Sequence, residues 1–142
     1  MNYNLKIWPL LSVICLALAS CRGEPRAVIF EMPDSFLGAF VIRVDANSNI
    51  EWQRSDDLLV LKVSGRLTSV RNFDTIEGKY LEYKARLSSE ILMPLVPMSA
   101  AKTHKGLGLF GGNITNSGEM HFYLGDGASA IEYFDTLSGK KH

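Results

Sequence analysis

Short runs of apolar and β-branched residues, each closed by a cluster of turn-forming residues, recur along most of the chain and predict strands. Ala27–Glu31 and Ala39–Asp45 are two such runs, separated by Met32-Pro33-Asp34-Ser35-Phe36-Leu37-Gly38. Pro33 lacks a ladder donor and Gly38 accepts positive φ, so both punctuate the connection. Asp45-Ala46-Asn47-Ser48-Asn49 then closes the second strand, because Asp, Asn and Ser side chains bond their own backbone. Leu58–Val63 is almost continuously apolar and stops at Ser64-Gly65, the pattern of a strand buried on both faces, with 66–70 returning as its partner.

Further along, Leu81, Tyr83, Ala85 and Leu87 alternate with Glu82, Lys84 and Arg86, the period expected when one sheet face meets a core. Ile91–Met98 carries Pro94 and Pro97 and reads as an edge strand or a loop wrapping the core. A glycine-rich stretch, 106–112, and the turn Asn116-Ser117-Gly118 precede a last strand at 119–124. Ala130, Ile131, Phe134 and Leu137 then share one face of a short helix, with Ser129 and Glu132 as a capping-box pair and Gly139 as its stop. About seven strands and one terminal helix predict a mainly β fold: an antiparallel β-sandwich or compact barrel with one short C-terminal helix.

The N-terminus follows a different pattern. Residues 7–19 form an apolar stretch behind Lys6, interrupted by Pro9 and Ser12 and too short for a bilayer span. It ends in Leu18-Ala19-Ser20-Cys21, which resembles the lipobox of bacterial lipoproteins. The resemblance implies cleavage between Ser20 and Cys21, acylation of Cys21 by chains such as palmitate, and a cell-envelope location. Arg22 stands where the inner-membrane retention signal of similar lipoproteins has Asp, which implies the outer membrane in a two-membrane cell. Residues 1–20 are thus read as signal peptide, 21–26 as tether and 27–142 as one β-rich domain.

Two other readings of this region stay open. Ala17-Leu18-Ala19 also fits an ordinary secretory cleavage site, which would leave Cys21 as an unpaired thiol because Cys15 lies in the discarded part. Alternatively, Cys21 is a small buried apolar residue, although Arg22, Gly23, Glu24 and Pro25 beside it suit a solvated tether.

The remaining length, about 120 residues, suits a single core. Removing residues 1–20 takes away Lys6 alone among charged groups and leaves fourteen Lys and Arg against fifteen Asp and Glu. Such a balance offers no footprint for nucleic acid, and the only membrane partner expected is reached through the lipid anchor. The mature chain has no cysteine pair to form a disulfide.

Phe30-x-Met32-Pro33-x-x-Phe36-x-Gly38-x-Phe40-x-Ile42 near the start and Phe122-Tyr123-Leu124-Gly125 near the end resemble a family of small bacterial exported proteins of unknown function. Where that family tends to carry Gly before the loop aromatic, this chain has Ser35. The resemblance implies no activity.

Candidate chemistry is sparse. Gly106-x-Gly108-x-x-Gly111 matches a dinucleotide fingerprint, but Gly112-Asn113 and Asn116-Ser117-Gly118 forbid the long helix that would receive the pyrophosphate. A bent or bulged strand is the expected alternative. His104, His121 and His142 lack metal-ligand spacing, and His104 and His121 read as surface groups. Asp34 and Asp56-Asp57 sit where turns use Asp. Asn113-Ile114-Thr115 matches a glycosylation acceptor only by pattern, and the chain has no Gly-x-Ser-x-Gly elbow.

No cofactor, metal or catalytic residue is implied. The leading expectation is a membrane-anchored, non-catalytic binding or scaffold module for an envelope protein or glycan. Its candidate contact loops are 91–98 and the segment bearing Gly106, Gly108, Gly111 and Gly112. The alternative is a small hydrolase or ligand carrier whose pocket is lined by Trp52, Tyr80, Tyr83 and Tyr123.

Overall fold

The strand-forming runs organise into two sheets in a computed structural model of the protein, which describes residues 23–88 and 91–139. Strands are β1 (Ala27–Glu31), β2 (Gly38–Val44), β3 (Gln53–Ser55), β4 (Leu58–Lys62), β5 (Leu67–Val70), β6 (Glu82–Arg86), β7 (Leu92–Pro94), β8 (Gly108–Ile114) and β9 (Glu119–Gly125). A helix, α1 (Gly127–Leu137), follows, and a 3₁₀ turn occupies Met98–Ala100. One sheet has the order β3-β4-β1-β6-β7 and the other β5-β2-β9-β8.

The fold is mainly β with one short C-terminal helix, as expected, and neither sheet closes into a barrel. The strand pairing is mixed rather than wholly antiparallel. β1 lies parallel to both β4 and β6, and β2 lies parallel to β5. The chain therefore crosses between sheets: 66–70 does not return on β4 but joins the other sheet beside β2.

Burial follows from this arrangement. β1 is flanked on both sides by parallel neighbours, and Ala27, Val28, Ile29 and Phe30 are all buried, as suits a strand covered on both faces. In β4 the doubly buried pattern fails: Leu59 and Leu61 are buried, whereas Leu58 and Val60 are only half-buried. The core between the sheets is aromatic at its centre. Phe30 lies with its ring centroid 4.8 Å from Phe122 and 5.6 Å from Phe40, both of the opposite sheet, and stacks at 6.0 Å on Tyr83 of its own.

The two corners of the sandwich are closed differently. At one, Leu95 bridges to Leu109 and the Val96 amide donates to the Leu109 carbonyl at 2.7 Å, stitching the end of β7 to β8. At the other, Ser48 Oγ donates to the Ser69 carbonyl at 2.6 Å and Trp52 Nε1 to the Asn72 carbonyl at 3.1 Å.

Helix α1 starts one turn earlier than the capping-box reading places it. Asp126 is the cap, accepting from the Ser129 amide at 2.9 Å through Oδ1 and from the Ser129 hydroxyl at 2.8 Å through Oδ2. Ser129 is thereby a first-turn residue, because the better acceptor three positions upstream captures its amide. Gly139 stops the helix as expected, at φ +72°. The helix packs over the second sheet through Ala130, Ile131 and Phe134, against Phe110 and Tyr123.

Candidate functional site

Three parallel strands end together, and their ends make a groove. β1, β4 and β6 are in register so that Glu31 pairs with Lys62 on one side and Arg86 on the other. This sets a cation, an anion and a cation side by side on the outer face of the sheet. Beyond them the chain turns away in three loops, leaving a groove of about 440 Å³ whose lining includes Glu31, Asp34, Lys62, Ser64, Arg86 and Ser88. Its floor is apolar: Met32 and Val63 are buried there and Leu87 is half-buried. Open parallel sheets bind ligands at this end of their strands, where loops diverge.

The charges in the groove are only partly spent on each other. Arg86 Nη1 donates to Glu31 Oε1 at 3.3 Å, a single contact between side chains that stay more than a third exposed. Among the described residues, Lys62 makes no ion pair and the Asp34 side chain has no hydrogen-bond partner. Asp34 is carried by a turn in which the Phe36 amide donates to the Pro33 carbonyl at 3.2 Å. Ser35, in the same turn, adopts φ +58°, a left-handed geometry that glycine favours and that is held here by a serine.

A second cluster joins β9 to α1. His121 Nδ1 lies 3.0 Å from Tyr133 Oη, and His121 Nε2 lies 3.0 Å from Glu119 Oε2. His121 is not on an open strand face, as its alternation with Met120 and Phe122 implies; its side chain is only 13 % exposed because α1 covers that face. Burial, and then the Glu119 carboxylate, push the Tyr133 phenol above its ordinary pKa. With Glu119 accepting from Nε2–H, Nδ1 is left to accept the phenol proton, and every group has its partner. A phenol kept protonated in this way is a poor nucleophile, and neither of the grooves beside Glu31 and Trp52 includes His121. The cluster works as a clasp between strand and helix.

The other expected sites fall as follows. Cys21 and Ser20 lie outside the described residues, as does His142. His104 is half-buried, with Nε2 3.3 Å from the Leu107 carbonyl and its ring edge-on to Phe110 at 5.8 Å. Gly106 adopts φ +85° in the turn entering β8, and Gly108, Gly111 and Gly112 belong to that strand, which shifts register after Gly111. Gly111 is packed so closely that a Cβ would lie 2.2 Å from the His121 carbonyl oxygen. Gly111 thus has the bulged-strand role, with the backbone of β9 against it, whereas Gly108 and Gly112 are packed by side chains and Gly106 has open space.

Asp56, at φ +53°, turns β3 into β4. The aromatic residues of the pocket alternative do not converge: Tyr80 is fully exposed, Tyr83 stacks in the core, Tyr123 faces α1 and Trp52 covers a corner. Among the described residues, no three His, Cys, Asp or Glu side chains gather to hold a metal ion. The groove at 31, 62 and 86 was missed from sequence because its residues come from three separate strands, and only their parallel register unites them.

No protein-family model matches the chain, and no curated protein does. Among solved structures, a crystal structure of a protein from Bacillus anthracis, provisionally described as a lipoprotein, overlaps 72 % of this chain and 70 % of its own. The two are 11 % identical with a TM-score of 0.40.

Proposed function

We propose that the protein is a cell-envelope lipoprotein, held in the membrane by acylated Cys21, whose β-domain is a non-catalytic binding module. The observation that carries the reading is the Leu18-Ala19-Ser20-Cys21 run, whose cysteine stands six positions before the start of the first strand. Two or three acyl chains, at about 0.8 kcal/mol per buried methylene, exceed the regime of weak reversible attachment. The location assigned is the outer membrane where the cell has two.

The strand directions support a working orientation. Residues 23–26 lead into the start of β1, while the groove lies at the other end of β1, β4 and β6. Five residues of strand separate the two, roughly 16 Å. The groove therefore lies at the end of the sheet opposite the tether, which suits a binding surface turned away from the membrane.

Expression of the full-length chain in a bacterial host tests the anchor. The wild-type product partitions into the detergent phase with intact mass matching a chain that begins at an acylated Cys21, and Cys21→Ala moves it to the aqueous phase. Equal partitioning of the two forms, or a mature mass without added hydrocarbon, overturns the anchor.

A further inference from the structure

From the charges of the distal groove we infer that it binds a small zwitterion of the amino-acid or short-peptide class. The inference rests on the reading of this domain as a binding module and is independent of acylation. Lys62 and Arg86 flank Glu31 in one register row, so a single carboxylate stands between two cations. Arg86 uses one guanidinium nitrogen on Glu31, and Lys62 has no counter-ion among the described residues. These two cations are positioned to accept a ligand carboxylate, which a guanidinium holds well through its paired N–H groups.

Asp34, on the loop that lines the same groove, is a carboxylate with no partner among the described residues and supplies the complementary seat for an ammonium group. Two cations and two anions give the groove no net charge. A simple anion such as phosphate leaves Asp34 without a cation, and a neutral sugar leaves both sets of charges unused. A molecule carrying both a carboxylate and an ammonium satisfies each set. Leu87, half-buried in the lining, gives an apolar side chain of such a ligand a surface to cover. The volume, about 440 Å³, falls within the range of small-molecule sites.

Isothermal titration of the full-length protein, purified in a non-ionic detergent, with alanyl-leucine tests this. The expected result is saturable binding, weakened about tenfold or more when the peptide is N-acetylated or C-amidated, since each change removes one charge-assisted contact. Lys62→Ala selectively reduces the penalty for amidation, Arg86 still facing the carboxylate, and Asp34→Asn removes the penalty for acetylation. Both positions are exposed, and circular dichroism establishes that the variants are folded. Saturable binding that ignores both blocking groups, tighter binding of inorganic phosphate, or no binding of the dipeptide into the millimolar range overturns the ligand class. Crosslinking of an envelope protein alongside any of these leaves the binding-module reading standing and this inference refuted; failure of Cys21 acylation bears on neither titration.

Discussion

At the scale of single residues, glycines in this chain differ in what they are for. Gly78 and Gly118 adopt positive φ with open space or only loose contact beside them, so their demand is conformational. Gly127 has no such φ; it is the first residue of α1, and a Cβ there would lie 1.8 Å from the Ala101 carbonyl oxygen. The contact is with backbone on a buried face, so it is relieved only by moving the helix off the 3₁₀ turn. Gly127→Ala should therefore cost about 2–3 kcal/mol despite the better helix propensity of Ala. Urea unfolding of the variant checks this; a midpoint equal to or above the wild type's means that the helix is not seated on Ala101.

Asp126 shows the electrostatic counterpart. Hydrogen bonds from the Ser129 amide and hydroxyl hold its carboxyl below the usual carboxylate pKa. A lowered folded-state value means that its stabilisation is fully present above the unfolded pKa, near 4, and is lost as pH falls through the folded one. Unfolding measured from neutral pH into acid should show a steeper loss of stability for the wild type than for Asp126→Asn, whose amide oxygen still caps but does not titrate. Parallel curves for the two proteins contradict this role.

At the scale of elements, strand positions were legible because local chemistry writes them. Ala27–Glu31 and the alternation from Leu81 to Leu87 were readable as apolar runs of strand period, and of the two readings that Pro94 and Pro97 left open, edge strand or wrapping loop, 92–94 takes the edge strand. Pairing was not legible. Nothing local in 66–70 distinguishes a hairpin return from a crossing, and the choice is made by Val41, Ile42 and Val44 in β2, which these residues meet in register. The helix start was misplaced because two overlapping patterns, Ser129 with Glu132 and Asp126 with Ser129, compete for one amide. His121 was misjudged for a related reason: its alternation is that of a surface strand, and the element that covers it lies later in the chain. The groove escaped entirely, since charge pattern along a sequence says little about rows across a parallel sheet.

At the scale of the whole molecule, the two sheets are one cooperative unit because their facing surfaces share a single aromatic centre. Phe30 contacts rings from both layers, and Phe40 and Phe122 stack on each other at 5.1 Å. Phe30→Ala should cost about 3–5 kcal/mol and weaken both sheets together, since the cavity opens between them. Hydrogen exchange followed for both sheets tests it: protection lost in β1, β4 and β6 while β2 and β9 keep theirs denies the shared core. The clasp of Glu119, His121 and Tyr133 lies on the far face of the second sheet and is peripheral to this unit.

The parallel seat of β1 between β4 and β6 also governs the order of assembly. Ala27 meets Leu58 and Glu82, and Gly38 meets Leu124, so the earliest strands wait for partners made much later. Contacts so distant along the chain slow folding. A polypeptide delivered across a membrane from its N-terminus would present the sticky segment 27–30 early, and the chain through residue 86 must arrive before that segment has both of its strand neighbours.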